Sequence, residues 1–394
     1  MANTLLTPTA VTREALRILH QKLNFVGSIT REYDDSYAKS GAKVGDSLKI
    51  RLPNQYTVRS GRPISTQDVT ENSVTLQVAT QKGVDVTFNS AELALSLDDF
   101  SKRIIEPAMS ALAANIEADA MAMYKDVAQS VWNMGSAATF AKVLAGRKVL
   151  QDSLAPLNDR TANLNTQDNV DLVDALKGLF NDTDQIAKQY REGYMGRTAG
   201  FDFVENTLWP GHTRGTANSS YTANTSSLTA GQSSITVASG SGTLSKGDVI
   251  TIAGLKKAHP ESKANSGLDM QFVVTADYAG GGGSVSISPA IYTSGALQNV
   301  VAAVTGATQT VTVLGSSGST GTSLLYQEGA FAFATADLQM PQGVDFARRE
   351  VLDGVSMRIV RQYSISDDTF PCRIDVLYGY KTLRPQLACR LHNN

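Results

Sequence analysis

The chain has 394 residues, and its 42% share of hydrophobic residues is large enough for packed cores, which excludes bulk disorder. Its formal net charge of −2, from 35 basic and 37 acidic residues, excludes a protein that binds nucleic acid by charge alone. With two cysteines, Cys372 and Cys389, the chain is not a disulfide scaffold, and we expect a reducing, cytoplasmic site of synthesis.

The N-terminal 90 residues predict one helix followed by strands. Pro8 follows a capping threonine, and leucines spaced three and four residues apart come next, which predicts a helix over 9–24. Alternating β-branched residues then predict strands within 44–90, on both sides of a polar segment with prolines and a glycine. We interpret this region as a long two-stranded excursion with little core of its own.

Helical spacing of apolar residues is clearest after the excursion. It predicts a long helix over 98–129, in which Pro107 either introduces a kink or marks a second start. Further helices are predicted over 138–151 and 169–190. Near the C-terminus, alternation predicts strands at 331–334, 357–360 and 374–377.

Two runs in the second half of the chain lack charge entirely. Residues 215–245 and 278–327 contain no Asp, Glu, Lys or Arg and are rich in Ser, Thr, Gly and Ala. That composition is typical of a linker, but β-branched residues two positions apart recur in it and predict strands. The glycines at 280–283 predict a hairpin turn. We therefore expect a compact all-β module over 214–324, inserted into a chain of mixed α and β structure.

Residues that carry enzyme chemistry form no recognisable pattern. The four histidines make no HExxH pair, and the sequence has neither a GxSxG elbow nor a P-loop. A triad assembled from distant residues stays open, because triads are spatial. We expect no catalytic residues, no cofactor and no metal site. The arm, the excursion and the inserted module favour an assembly protein, since extended parts usually bury against other copies.

Neither the N-terminus nor any later stretch predicts a membrane segment. No run approaches the roughly 20 apolar residues that span a bilayer, so we expect a soluble protein with no membrane partner. The first 60 residues are mildly basic, with nine Lys or Arg against five acids. This excess is compatible with lining a DNA-filled space, with pairing to an acidic partner, or with an ordinary solvated helix face.

Several different short motifs follow one another along most of the chain. They are LNDR at 157–160, NTQD at 165–168, AGFD at 199–202 with Pro210 downstream, KGDVITIAG at 246–254, LYG at 377–379, and Arg384-Pro385. Together with the order of arm, excursion, long helix and mixed C-terminal part, they resemble tailed-phage major capsid proteins of the Hong Kong 97 type. More specifically, the chain is similar to the coat proteins of short-tailed Salmonella-type phages, which carry an inserted β-barrel domain.

The resemblance implies an α+β, Hong Kong 97-like capsid fold with an inserted all-β barrel domain. Its implied parts are an N-terminal arm over 1–43, an extended β loop over 44–90, a peripheral domain with the spine helix and the first part of the axial domain over 91–213, the inserted barrel over 214–324, and the rest of the axial and peripheral domains over 325–394. In one respect the chain departs from the family. The inserted domain often carries a long charged loop that contacts a subunit across a two-fold axis, whereas the matching stretch here, 215–245, is uncharged.

The function implied is that of a major capsid protein, which forms hexamers and pentamers of an icosahedral shell around packaged double-stranded phage DNA. Implied partners are a scaffolding protein, the portal complex, a decoration protein and the DNA itself, held without sequence specificity. The implied location is the virion, after assembly in the host cytoplasm. The candidate contacts with the scaffolding protein and the shell interior are Arg13, Glu14 and Arg17, and the candidate intersubunit residues of the extended loop are Arg51, Arg59 and Arg62.

Two other functions stay open at this point. A cellular nanocompartment shell shares the fold but encloses cargo rather than DNA, and the inserted domain argues against it. A β-rich adhesin or tail-fibre-like binding protein would account for the Ser/Thr/Gly-rich module, but the helices predicted over 98–129 and 169–190 argue against it.

Overall fold

The structure is a computed structural model that describes residues 8–33, 46–59, 61–64, 66–67, 71–88, 104–176, 197–217, 221–226, 228–302, 307–352, 354–366 and 369–393. The chain divides into two compact units. The first unit comprises Met1–Arg51, Ser73–Met121 and Phe331–Leu383, and the second comprises Leu52–Asn72, Ala122–Ala330 and Arg384–Asn394.

The described residues form a few helices and many strands. The helices are α1 Pro8–Lys22, α2 Glu106–Met121, α3 Phe140–Asp152 and α4 Thr166–Leu176. The strands are β1 Thr30–Tyr33, β2 Asp46–Arg51, β3 Ser73–Val78, β4 Thr80–Phe88, β5 Ser130–Trp132, β6 Arg160–Leu164, β7 Arg197–Thr198, β8 Phe201–Glu205, β9 His212–Arg214, β10 Thr222–Asn224, β11 Gln232–Ala238, β12 Val249–Ala258, β13 Asn265–Val274, β14 Gly283–Ile291, β15 Val300–Ala302, β16 Thr308–Val313, β17 Gly318–Thr320, β18 Thr322–Gln327, β19 Phe331–Ala336, β20 Phe346–Leu352, β21 Val355–Arg361, β22 Phe370–Thr382 and β23 Ala388–His392. Short 3-10 turns lie at Val26–Ser28, Ala122–Asp126, Glu328–Ala330 and Pro385–Leu387.

The first unit is built on a six-stranded sheet in the order β1-β19-β22-β21-β20, with β4 also paired to β22. Strand β22 is 13 residues long and changes partners along its length. Its N-terminal half pairs with β21 and β4, and its C-terminal half pairs with β19. All six residues of β19 are buried, and strand β3 packs on its alanines. One long strand therefore holds both halves of the sheet.

A buried carboxylate on α2 fixes the chain where it leaves α1. Glu117 is 1% exposed, and its two carboxylate oxygens accept hydrogen bonds from the backbone N–H groups of Phe25, at 3.0 Å, and Val26, at 3.1 Å. These N–H groups begin a 3-10 turn, where the first donors have no partner within the turn itself. The ring of Phe25 then packs 5.7 Å from that of Phe331. The apolar stripe of α1 is buried, as its sequence predicts.

The region over 44–90 is only partly the free excursion that the sequence predicts. Strands β2 and β3 pair with each other, but Leu76 and Val78 join a buried cluster with alanines of β19. Strand β4 pairs along its whole length with β22. A Cβ built on Gly379 would lie 2.1 Å from the carbonyl oxygen of Gln77, so the close approach of these backbones requires glycine. The alternating pattern predicts strands correctly but does not show which partner each strand takes.

The second unit contains another six-stranded sheet, in the order β5-β23-β18-β6-β8-β7. Three strands of this sheet, β6, β18 and β23, are buried along their full lengths. Their residues therefore do not alternate between buried and exposed positions. Helix α3 packs closely on this sheet at Gly146, where a Cβ would lie 2.4 Å from a methyl group of Leu325. The two outer strands of this sheet, β5 and β7, are short.

The predicted all-β module is a closed barrel. Six strands follow the order β13-β14-β11-β10-β16-β12, and β12 pairs with β13 to close the ring, with β15 added outside. The alternating residues that predict the strands all point into its core: Ile235, Val237, Ile250, Ile252, Val285, Ile287, Val311 and Val313. Glycines 280–282 lie between β13 and β14, where a turn is predicted, and Gly283 begins β14. Strands β9 and β17 pair with each other at the two ends of the module, while residues 322–324 belong to β18 of the sheet.

The helices of the middle region differ from their predicted limits. Helix α2 ends at Met121 and continues as a 3-10 turn to Asp126, short of the predicted end at residue 129. Pro107 lies in its first turn, where a missing N–H is tolerated, and a π-helical turn at residues 104–105 directly precedes it. The predicted beginning at 98–103 and the C-terminal part of the helix predicted over 169–190 lie outside the described residues.

We predict that Glu117→Ala lowers the free energy of unfolding by about 2–4 kcal/mol, because it leaves two buried N–H groups without an acceptor. Chemical denaturation of the unassembled chain measures the effect. The control is Asn115→Ala on the exposed face of the same helix, which should change stability by less than about 0.5 kcal/mol. Equal losses in the two variants would contradict the role given to Glu117.

Candidate functional site

The segment that connects β2 to β3 exposes apolar side chains to solvent. Tyr56 is 58% exposed, Val58 94% and Ile64 86%. Neighbouring apolar side chains at such exposure are typical of a surface that is covered by a partner. We call residues 52–67 the exposed loop.

Side-chain hydrogen bonds hold the exposed loop in shape. The Gln67 amide spans the loop: its Oε1 accepts from the backbone N–H and the hydroxyl of Thr57, both at 2.9 Å, and its Nε2 donates to the Thr57 carbonyl at 2.5 Å. The Arg59 guanidinium donates to the carbonyls of Gly61 and Pro63. A loop held in this way loses less conformational entropy when it docks.

The three arginines predicted as intersubunit residues are all exposed. Arg51 ends β2, and Arg59 and Arg62 lie on the exposed loop. Between Ser47 and Gln67 the sequence has four basic residues and no acid. The guanidinium of Arg59 is partly used inside the loop, whereas no hydrogen bond or ion pair of Arg62 is found among the described residues. The loop therefore presents apolar side chains together with positive charge.

The predicted arm residues lie on the solvent side of α1. Glu14 accepts two hydrogen bonds from Arg17, from Nε at 3.0 Å and from Nη2 at 2.6 Å, and this pairing raises the pKa of Arg17. Arg13 is 72% exposed, and its Nε lies 4.0 Å from Oε1 of Glu350 on β20. The three residues form one charged surface, in which the acid is already paired and Arg13 is the most exposed.

A buried polar cluster in the second unit has no counterpart in the sequence predictions. His212 on β9 donates from Nε2 to Asp248 at 2.9 Å, and its Nδ1 accepts from the Tyr124 hydroxyl at 3.3 Å. Arg390 on β23 donates to the carbonyl of Gly247 at 2.8 Å and lies over the ring of Tyr124, 5.9 Å from its centroid. Except for the adjacent Gly247 and Asp248, these residues are 35 or more positions apart, so no sequence motif brings them together.

Burial sets the charge states in this cluster. It lowers the pKa of Arg390 to about 10, lowers that of His392 well below its ordinary value, and raises that of Tyr124. Asp248 also accepts hydrogen bonds from the backbone N–H groups of Gly215 and Ser245, at 3.0 and 2.8 Å. His392 stacks on Trp132 with ring centroids 4.1 Å apart, and neither of its ring nitrogens has a hydrogen-bond partner among the described residues.

Two classes of site are not found in the described part of the chain. No group of three His, Cys, Asp or Glu side chains there lies close enough to hold a metal ion. No helix there is long and apolar enough to cross a membrane. Cys372 and Cys389 are both buried and unbonded, one in each unit.

A family model described as P22 coat protein, gene protein 5, matches residues 30–390. The chain therefore belongs to the P22 coat protein family, which confirms the resemblance seen in its motifs. It is a major capsid protein of a tailed bacteriophage, a structural protein that forms an icosahedral shell and resides in the virion.

Several solved structures are similar to this chain over most of its length at low identity. A structure from Mycobacterium phage Che8 is 13% identical, with 94% of this chain and 90% of that chain covered and a TM-score of 0.47. The capsid of cyanophage P-SCSP1u is 12% identical, with 89% and 84% covered and a TM-score of 0.45. The mature capsid of bacteriophage PhiM1 is 10% identical, with 94% and 87% covered and a TM-score of 0.43. A comparison with curated protein sequences finds no significant match.

We predict that Gln67→Ala loosens the exposed loop without unfolding the protein, because Gln67 provides the hydrogen bonds that span it. Amide hydrogen exchange at Thr57 and tryptic cleavage after Arg59 should become faster, while the melting temperature stays within about 1 °C. The matched control is Gln55→Ala on the same loop, which makes no hydrogen bond among the described residues and should leave both rates unchanged.

Proposed function

We propose that the exposed loop docks on a neighbouring copy in the hexamers and pentamers of the shell. The observation that carries this proposal is the exposure of Val58 and Ile64 on a loop that its own hydrogen bonds hold in shape. Arg51, Arg59 and Arg62 would orient the loop on an acidic surface of the neighbour, because exposed charge pairs contribute more to orientation than to affinity. Burial of each apolar side chain would contribute about 1.5–3 kcal/mol before the entropy lost on association.

The division of the chain follows the same proposal. Residues 1–43 serve as an arm, 44–90 as the extended loop, 91–213 as the peripheral domain with the first part of the axial domain, and 325–394 as the remainder. Residues 214–324 form an inserted domain outside the shell. The pairing of β9 with β17 supports an insertion at this place, since it brings residues 212–214 and 318–320 together.

The partners follow from a shell that is filled with DNA. A scaffolding protein would contact Arg13, Glu14 and Arg17 on α1 during assembly, and the portal complex would occupy one vertex. The packaged double-stranded DNA would be held without sequence specificity, which fits a formal net charge of −2. The chain acts as a structural protein and not as an enzyme. Because residues 215–245 carry no charge, a contact other than an electrostatic latch, or a decoration protein, would stabilise the two-fold positions.

We predict that the double variant Val58→Ser, Ile64→Ser folds but does not assemble, because it removes the apolar surface of the exposed loop. Assembly with the scaffolding protein is followed by sedimentation and electron microscopy, and folding by circular dichroism. The affinity lost at one contact is lost at every equivalent contact of the shell, so the yield of assembled shells should fall by more than tenfold. The control is Leu268→Ser, an apolar residue of the barrel that is 48% exposed. Shells of normal yield from the double variant would refute the docking role.

We predict that reversing two charges of the arm, with Arg13→Glu and Arg17→Glu, weakens binding of the scaffolding protein about tenfold or more in a pull-down at low salt. The charge-preserving variant Arg13→Lys, Arg17→Lys should bind within about twofold of the natural chain. Both variants should remain folded, since both side chains are largely exposed. Equal binding by the two variants would remove these residues from the scaffold contact.

A further inference from the structure

The buried polar cluster joins the barrel to the rest of the second unit. Asp248 and Gly247 belong to the turn that leads into β12 of the barrel, whereas His392 and Arg390 lie on β23 of the sheet. His212, on β9, lies between them, with its ring centroid 6.0 Å from that of His392. We call this arrangement the barrel seat.

The barrel seat brings two imidazoles together with charged side chains in a buried place. His212 faces Asp248, Tyr124 and His392, and the Lys125 side chain packs beside it near Gly247. His392 faces Arg390, His212 and Trp132. Two further charged groups interact with the cluster. Asp126 interacts with Arg390, and Arg214 interacts with Asp248. A proton added to His392 therefore enters a fully buried place beside an existing guanidinium.

We propose that the barrel seat is an acid-sensitive joint, closed while His392 is neutral and opened when His392 takes up a proton. His212 connects the parts of the seat, since its Nε2 donates to Asp248 and its Nδ1 accepts from Tyr124. A second polar contact lies beside the seat, at Ser130, which pairs with Arg390 across β5 and β23. The Gln271 amide exchanges hydrogen bonds with the backbone of Ser130, at 2.8 and 3.1 Å, and this contact does not titrate.

The direction of the pH effect follows from the environment of His392. Burial, then Arg390, then His212 lower its pKa well below 6.5, so the closed seat binds fewer protons than the opened one. The stability that His392 gives the seat is complete above the ordinary pKa of about 6.5 and falls as the pH drops below it. The barrel core consists of apolar side chains inside a closed ring of strands, so it does not share this dependence.

Both tryptophans of the chain lie next to the seat and report on it. Trp132 stacks on His392 with its ring plane tilted by 4°, and Trp209 packs edge-on against Tyr124 with centroids 6.2 Å apart. The chain has two tryptophans in total, so the intrinsic fluorescence of the full-length protein comes from this place. The fluorescence of the full-length, unassembled chain between about pH 8 and pH 5 therefore measures the state of the joint.

We expect a reversible fluorescence transition with a midpoint below about pH 6.5, at unchanged secondary structure by circular dichroism. Hydrogen exchange, normalised for the intrinsic pH dependence of the rate, should show that residues 244–248 and 388–393 lose protection. Strands β11 and β14 of the barrel should keep theirs. His392→Phe should abolish the transition, because the ring still stacks on Trp132 but no longer titrates.

The control is His259→Gln in the loop between β12 and β13, outside the seat, which should keep the midpoint of the natural chain within about 0.2 pH units. The same midpoint in His392→Phe as in the natural chain would overturn the proposal. So would equal loss of protection in the barrel strands. If the phenylalanine variant does not fold, His392→Gln and the exchange pattern of the natural chain decide between the same two outcomes.

Discussion

Pairing along β22 is the constraint on which the first unit depends. This strand contributes to three different pairings, with β4 and β21 over its first half and with β19 over its second. It also carries Asp375, which is 2% exposed and accepts from both Arg358, at 2.7 and 3.0 Å, and Gln81. A buried carboxylate is tolerated when every oxygen has a donor, and here the donors come from both flanking strands. The register of the sheet is thus set by charge pairing as well as by apolar contacts.

In the second unit, a complete barrel is attached to a sheet. The barrel has its own apolar core, so apolar burial does not decide how it is oriented. Polar contacts with defined directions do so: Asp248 with His212, Arg390 with Gly247, and Gln271 with Ser130. Such contacts contribute modestly to stability but are expensive to leave unmade, which restricts the barrel to one position.

Much of the fold could be predicted from the sequence, because the relevant signals are local. Alternation at Ile250 and Ile252 shows one face of a strand, and the leucines of α1 show one face of a helix. The exposed loop could also be predicted, since a polar segment with two prolines cannot form a core. The pairing of β4 with β22 could not, because residues almost 300 positions apart meet there and no local pattern encodes them. The barrel seat could not be predicted for the same reason. Arg390 and His392 are two polar residues on one face of the last strand, and that pattern normally indicates exposure.

The stem at the base of the barrel has a consequence for how such chains diversify. Because β9 and β17 lie side by side, the chain leaves the main body and returns to it within one strand spacing, about 5 Å. A segment that begins and ends at neighbouring points can be exchanged for another folded segment with equally close ends, and the strands on either side keep their places. The stem therefore makes this position suited to domain exchange, both in evolution and by design.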